Sequence, residues 1–149
     1  MKIALASDHA GFRLKKGILN YLDERRIEHH DFGCYSEESV DYVDFGARAV
    51  RAVVGGEFER AILICGTGLG MSIVANKFRG IRATACWDEI TAELSRLHNN
   101  SNCLTLGGRV LDLDEALVIV KVWLETKFEE GRHTPRIDKI LRLEEENFK

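Results

Sequence analysis

The first apolar run, Lys2 to Ala6, is short and reads as a buried strand. Ser7-Asp8-His9-Ala10-Gly11 turns the chain out of it. Helical spacing follows, with Leu14, Ile18, Tyr21 and Leu22 on one face and Lys15, Lys16, Asn20 and Asp23 opposite. Glu28 to Phe32 predicts a weak second strand, and Gly33 to Asp44 a polar, irregular connection. Ala47 to Val54 reads as a second helix that stops at Gly55-Gly56. The next run, Ala61-Ile62-Leu63-Ile64, is apolar throughout and predicts a strand covered on both faces. It leads through Cys65 into a loop with glycines at 66, 68 and 70, and Met71 to Phe78 then starts a helix.

The second half repeats the alternation. Ile81 to Cys86 predicts a fourth strand, and Asp88 caps a helix running to about His98 with Ile90, Leu94 and Leu97 on its buried face. Asn99 to Asn102 breaks that helix, Cys103 to Leu106 forms a fifth strand, and Gly107-Gly108 ends it. The helix from Leu113 to Phe128 is apolar on almost every side, which predicts that one side meets another subunit. Thr134-Pro135 opens a last helix whose Ile137, Ile140 and Leu141 stripe reads as an arm packed on a neighbouring subunit. Glu144-Glu145-Glu146 opposes the dipole at the end of this helix and predicts fraying. Strands alternating with helices define an α/β fold: one domain over 1–149, a doubly wound sheet of parallel strands with helices on both faces.

Composition narrows the function classes. The 149 residues are 45% hydrophobic and 30% charged, as in ordinary globular proteins. A net charge of −3 gives no reason to expect a nucleic-acid partner. Cysteines 34, 65, 86 and 103 form no Cys-x-x-Cys pair and no zinc-spaced cluster. The start shows no signal-peptide pattern, and the longest apolar run, Ala116 to Val120, is too short to span a membrane. A reduced, cytoplasmic protein is the expectation.

Candidate chemistry gathers at the carboxyl ends of the predicted strands, where open α/β sheets bind ligands. Cys65 stands there before the glycine loop, either as a nucleophile or base, or as a small core residue. Gly66, Gly68 and Gly70 are spaced G-x-G-x-G, not G-x-G-x-x-G, and follow the third strand, so a dinucleotide fingerprint is a poor match. No Gly-Lys-Ser/Thr follows, and Met71 stands where a Cys-x5-Arg phosphatase needs arginine. A loop with free N–H groups still suits a phosphate or an oxyanion; a tight structural turn is the alternative. Asp8 and His9 end the first strand on the same edge. His98 ends a helix, where it serves either the helix terminus or catalysis. Arg132, His133 and Arg136 form a cationic cluster that Arg109 could join, matching phosphate or simply facing solvent.

Taken together these residues resemble the sugar-phosphate isomerase family that includes the type B ribose-5-phosphate isomerases and the galactose- and allose-6-phosphate isomerases. The resemblance is carried, over essentially the whole chain, by Ser7-Asp8-His9-Ala10-Gly11, by Cys65-Gly66-Thr67-Gly68-Leu69-Gly70 continuing to Ser72 and Ala75-Asn76-Lys77, by Ser95-Arg96-Leu97-His98-Asn99, by Gly107-Gly108-Arg109 and by Gly131-Arg132-His133-Thr134-Pro135-Arg136. It implies a Rossmann-like sheet, a homodimer or dimer of dimers, active sites at the subunit interface, and catalysis without metal or cofactor. It implies Cys65 as the base, Thr67 as a proton shuttle and His98 with Asp8 for ring opening. The loop Gly66, Thr67, Gly68, Leu69 and Gly70 would hold the enediolate, His9, Arg109, Arg132 and Arg136 the phosphate, and Asn99 sugar oxygens. Keeping Cys65 with Thr67 favours the ribose enzyme over the galactose relatives. A hexose-6-phosphate isomerase and a non-catalytic phosphosugar-binding protein remain the rival readings.

Overall fold

The computed structural model describes residues 1–149. Five strands, β1 (Lys2–Ser7), β2 (Glu28–Asp31), β3 (Arg60–Cys65), β4 (Ala83–Ala85) and β5 (Cys103–Gly107), alternate with helices α1 (Phe12–Glu24), α2 (Tyr42–Val54), α3 (Leu69–Ala75), α4 (Glu89–Leu97), α5 (Leu113–Glu125) and α6 (Thr134–Asn147). All strand pairs are parallel, in the order β2-β1-β3-β5-β4. The α/β, Rossmann-like sheet expected from the alternation is therefore present. The chain moves one way from β1 to β2 and then returns to the other side of β1 for β3. That reversal opens a crevice between the carboxyl ends of β1 and β3.

Strand alternation sorts the core into two layers. Ile3, Leu5, Ile62, Ile64, Leu104 and Leu106 face α1 and α5, together with fully buried Trp123. Ala4, Ala6, Ala61, Leu63, Cys65 and Cys103 face the other way, toward Ala49 and Val50 of α2 and Met71 and Ala75 of α3. Small residues dominate the strands on this second face, so α2 and α3 sit close to the sheet. Cys65 is thus the last inward-facing position of its layer.

Several expectations change once packing is visible. The connection after β2 is shorter than predicted, because Asp41 caps α2 by accepting the Val43 N–H at 2.9 Å. α3 stops at Ala75 and α5 at Glu125, both earlier than predicted. Most of the apolar character of α5 is consumed within the chain: Ala116, Ile119, Val120, Trp123 and Leu124 are buried, Leu117 and Val122 pack against the same core, and Leu113 and Val118 are exposed.

α4 is rotated from its predicted face. Its Asp88 cap forms as expected, in a capping box with Thr91. Yet Ala92, Ser95 and Arg96 point inward, while Ile90 and Leu94 are 65% and 39% exposed. The reason is the Arg96 guanidinium, which finds acceptors inside: Thr126 O at 3.1 Å, Asn100 Oδ1 at 2.9 Å and Ser101 O. A charged fork with its donors paired is stable at an interior position that simple periodicity would deny it. Burial, with Arg60 and Arg82 nearby, pulls this guanidinium down to about 10.

Lys15 departs from its predicted polar face for the same reason. It is fully buried, and its ammonium reaches Asp31 Oδ1 at 2.7 Å and the Cys34 carbonyl at 2.5 Å. It ties α1 to the segment leaving β2. Lys15→Met leaves the Cys34 carbonyl without its donor and Asp31 Oδ1 with the Gly33 N–H alone, and a stability loss of about 2 kcal/mol is expected in urea unfolding.

α6 does not fray at its acidic end. It runs to Asn147 because the Glu144 carboxylate accepts the Gly80 N–H with both oxygens, at 2.9 and 3.0 Å. Arg79 also donates to the Phe148 carbonyl. Ile137 is buried, whereas Ile140 and Leu143 remain exposed. No helix is long and apolar enough to cross a membrane.

Candidate active site

The carboxyl end of β3 is tied to both neighbours by backbone hydrogen bonds. Asp8 N–H donates to Ile64 O at 3.2 Å, Gly108 N–H to Cys65 O at 2.7 Å, and Arg109 N–H to Gly66 O at 3.0 Å. A Cβ at Gly11 would stand 2.4 Å from the Ile64 carbonyl oxygen, so the Ser7–Gly11 turn sits directly on the end of β3. The motifs after the first, third and fifth strands therefore converge on one spot.

Cys65 is 5% exposed there, and its Sγ accepts the Gly68 N–H at 3.2 Å. Thr67, exposed at the loop tip, accepts the Leu69 N–H at 3.2 Å through Oγ1. The N–H groups of Gly66, Thr67 and Gly70 make no backbone hydrogen bond. They remain free donors in the loop that follows the thiol, a set suited to an oxyanion. The Arg109 side chain lies over Gly66, its Nη1 3.4 Å from where a Cβ would be. Asp8 is buried and accepts the Gly11 N–H at 3.0 Å. His9 Nδ1 accepts the Val40 N–H at 3.1 Å. In the neutral ring the proton then sits on Nε2, leaving a fixed donor.

Gly68 makes this geometry possible. It has φ +80, and the Leu106 backbone lies 3.0 Å from where a Cβ would stand. Thr105, buried in β5, donates its hydroxyl to Gly68 O at 2.8 Å and holds the turn. Gly68→Ala would strain the backbone and push against β5. A loss of about 1–3 kcal/mol in unfolding free energy is expected, with weakened turnover.

Two contributors lie outside the residues that the sequence singles out. Thr105 carries no motif signal, since a threonine in a strand reads as an ordinary β-former. Tyr42 falls within the predicted irregular connection, yet its ring covers Gly70 at the start of α3, 2.6 Å from where a Cβ would lie. Its position at the first turn of α2, just after the Asp41 cap, is the available clue.

His98, Asn99, Arg132 and Arg136 do not join this group. α4 runs back antiparallel to the strands, so His98, its C-cap, lies at the amino edge of the sheet. The Arg96 bonds to Thr126 O and Ser101 O fix it there. With a rise of about 3.3 Å per residue, β3 puts about 16 Å of strand between the two edges. Around His98 a second cluster forms. The His98 and His133 rings stack at 4.3 Å and 16°. His133 stands on a 3-10 turn, Gly131–His133, that leads into α6. Burial, then the His98, Arg132 and Arg136 charges, hold His133 below the ordinary histidine range, with Glu129 opposing. Asn99 is exposed beside His98, and its carbonyl accepts the Arg82 Nε–H at 3.1 Å.

A concavity of about 410 Å³ lies elsewhere, between Lys2, Glu28, His30, Phe32 and Phe58 at the β2 edge. It contains none of the converging residues.

Fold and site together define an open α/β protein with a thiol and a loop of free N–H donors at the switch point of a parallel sheet. The model of the Ribose/Galactose Isomerase family matches residues 3–140, and the chain belongs to that family. It is 47% identical over 144 residues to ribose-5-phosphate isomerase B of Escherichia coli K12, covering 97% of each chain. It is also similar to the structure of Clostridium thermocellum ribose-5-phosphate isomerase B, with TM-score 0.96, 51% identity, and 98% of this chain and 99% of that one covered. The Mycoplasma genitalium ribose-5-phosphate isomerase B structure with bound ribulose-5-phosphate matches with TM-score 0.93 and 40% identity, over 98% of this chain and 97% of that one.

Proposed function

We propose that this chain is an aldose–ketose isomerase interconverting D-ribose 5-phosphate and D-ribulose 5-phosphate. It acts in the cytoplasm as a single 1–149 domain, in a homodimer or dimer of dimers. The observation that carries the reading is the Cys65 thiol accepting the Gly68 N–H in the glycine loop, in a chain 40% identical to a relative that holds ribulose-5-phosphate.

The reaction follows from that arrangement. As a thiolate, Cys65 takes the C2 proton of the open-chain aldose, and the electron pair moves onto the carbonyl oxygen to give an enediolate. The free N–H groups of Gly66, Thr67 and Gly70 stabilise that oxygen, and Gly68 and Leu69 shape the turn. The thiol then returns the proton to C1, while Thr67 passes the hydroxyl proton between the sugar oxygens. No metal or cofactor enters these steps. His98 and Asp8 open the furanose ring, Asn99 binds sugar oxygens, and His9, Arg109, Arg132 and Arg136 take the phosphate. The remote phosphate holds C1 and C2 in register with the thiol.

Placement at opposite sheet edges supports a site shared between copies. One chain offers Asp8, His9, the Cys65–Gly70 loop and Arg109; a neighbouring copy offers its own His98, Asn99, Arg132 and Arg136. Exposed Leu69 and Ile73 on α3 lie beside the Cys65 loop, exposed Leu94 on α4 lies one turn before His98, and such an association would cover them. The deciding measurement is turnover of ribose 5-phosphate with a chelator present and allose 6-phosphate in parallel. Turnover favouring the ribose compound is expected. Turnover of allose 6-phosphate alone would change the substrate, and silence on both from folded protein would put the phosphosugar-binding reading first.

A further inference from the structure

The one buried side-chain nitrogen or oxygen without a hydrogen-bond partner is His133 Nε2, on a residue only 3% exposed. An atom of this kind calls for an explanation. It lies 3.6 Å from Glu129 Oε2, and His98 Nε2 lies 4.0 Å from the same oxygen. Because the two rings stack nearly parallel, their Nε2 edges face Glu129 together. One ligand atom from each of the three residues falls within 4.8 Å of the others.

We infer that His98, Glu129 and His133 form a binding site for a divalent transition-metal ion of the zinc class, and that filling it inhibits the enzyme by withdrawing His98. Two imidazoles and a carboxylate with a fourth position open to water are a zinc donor set. Zinc–ligand distances of about 2.0–2.2 Å put tetrahedral donors about 3.3 Å apart, so atoms that now lie within 4.8 Å of one another need to draw together by about 1.5 Å at most. Glu129 closes its own two gaps, of 3.6 and 4.0 Å, since its side chain is exposed, and the two rings close theirs. The rings turn about χ2 to aim their lone pairs at a common point. The Glu129 N–H, bonded to Leu97 O at 3.0 Å, keeps its backbone beside the end of α4. Arg132 and Arg136 act on His133 as positive charges and oppose a purely electrostatic cation. The site therefore selects ions that bind imidazole strongly, zinc, copper or nickel, over magnesium or calcium.

The inhibitory half rests on the ring-opening role proposed for His98; the metal site does not. The test titrates the full chain, freed of metal by chelation, with zinc by calorimetry and with cobalt by visible absorption. Wild type is compared with Glu129→Gln and Cys65→Ser, and ribose 5-phosphate turnover is followed in the same zinc series. Expected are a cobalt spectrum of nitrogen and oxygen ligands without a thiolate charge-transfer band, and affinity weakened about 100-fold in Glu129→Gln. Zinc should slow wild-type turnover, reversibly with chelator, while Glu129→Gln keeps its turnover at the same zinc concentration. Equal affinity in wild type and Glu129→Gln, or a thiolate band lost in Cys65→Ser, would overturn the site. Tight binding without inhibition would overturn the regulatory half. An inactive wild type that still binds zinc through Glu129 would instead count against the isomerase reading.

Discussion

Cys65→Ala is expected to lower kcat by about 1,000-fold with KM little changed, because a positioned general base is worth roughly 10²–10⁴. That factor corresponds to about 4 kcal/mol of transition-state stabilisation. The fold should survive. Alanine fits the sheet layer that Ala61 and Ala6 already occupy, and the lost Sγ removes one acceptor, that of the Gly68 N–H. Circular dichroism would confirm folding, and solvent deuterium incorporation at C2 would report proton abstraction separately from ring opening. Near-normal exchange in the variant would remove Cys65 from the proposed role. Substrate binding should persist, since the arginines and His9 are untouched.

Mixing Cys65→Ala with His98→Ala subunits should restore activity that neither has alone. If each site takes Cys65 from one copy and His98 from another, a two-fold dimer of one variant with the other contains one site with both changes and one with neither. Random assortment makes half the dimers mixed, so recovery to about a quarter of wild-type turnover is expected. Co-expression with two affinity tags would isolate the mixed species and double that yield per molecule. No recovery from a verified mixed dimer would place both residues in one chain's site and contradict the separation of the two clusters across the sheet.

Much of the fold was legible from local pattern. Continuous apolar runs marked β1, β3 and β5, Asp88 marked the start of α4, and Gly55-Gly56 marked the end of α2. The Cys65 loop and the Ser7–Gly11 turn were recognisable because strand-end position and glycine content are local properties. Side-chain orientation was less legible where a polar group is paired inside. Lys15 and Arg96 are buried because carbonyl and carboxylate acceptors from distant segments meet them. Thr105 and Tyr42 were invisible for a related reason: each serves the loop only through a neighbour far away in sequence.

The sequence by itself determined the alternation of strands and helices, the thiol at a strand end before a glycine turn, and the set of residues that resemble a sugar-phosphate isomerase. These follow from periodicity, backbone permissiveness and short-range spacing, which need no knowledge of what packs on what. Only the tertiary structure decided the strand order β2-β1-β3-β5-β4, and with it which loops meet at the switch point. It also decided that His98, Arg132 and Arg136 lie at the opposite edge from Cys65, because α4 must run back along the sheet before β5 can pair with β3. That separation is a consequence of parallel strands joined by right-handed helical returns, a constraint on the path of the whole chain that no single stretch of residues carries.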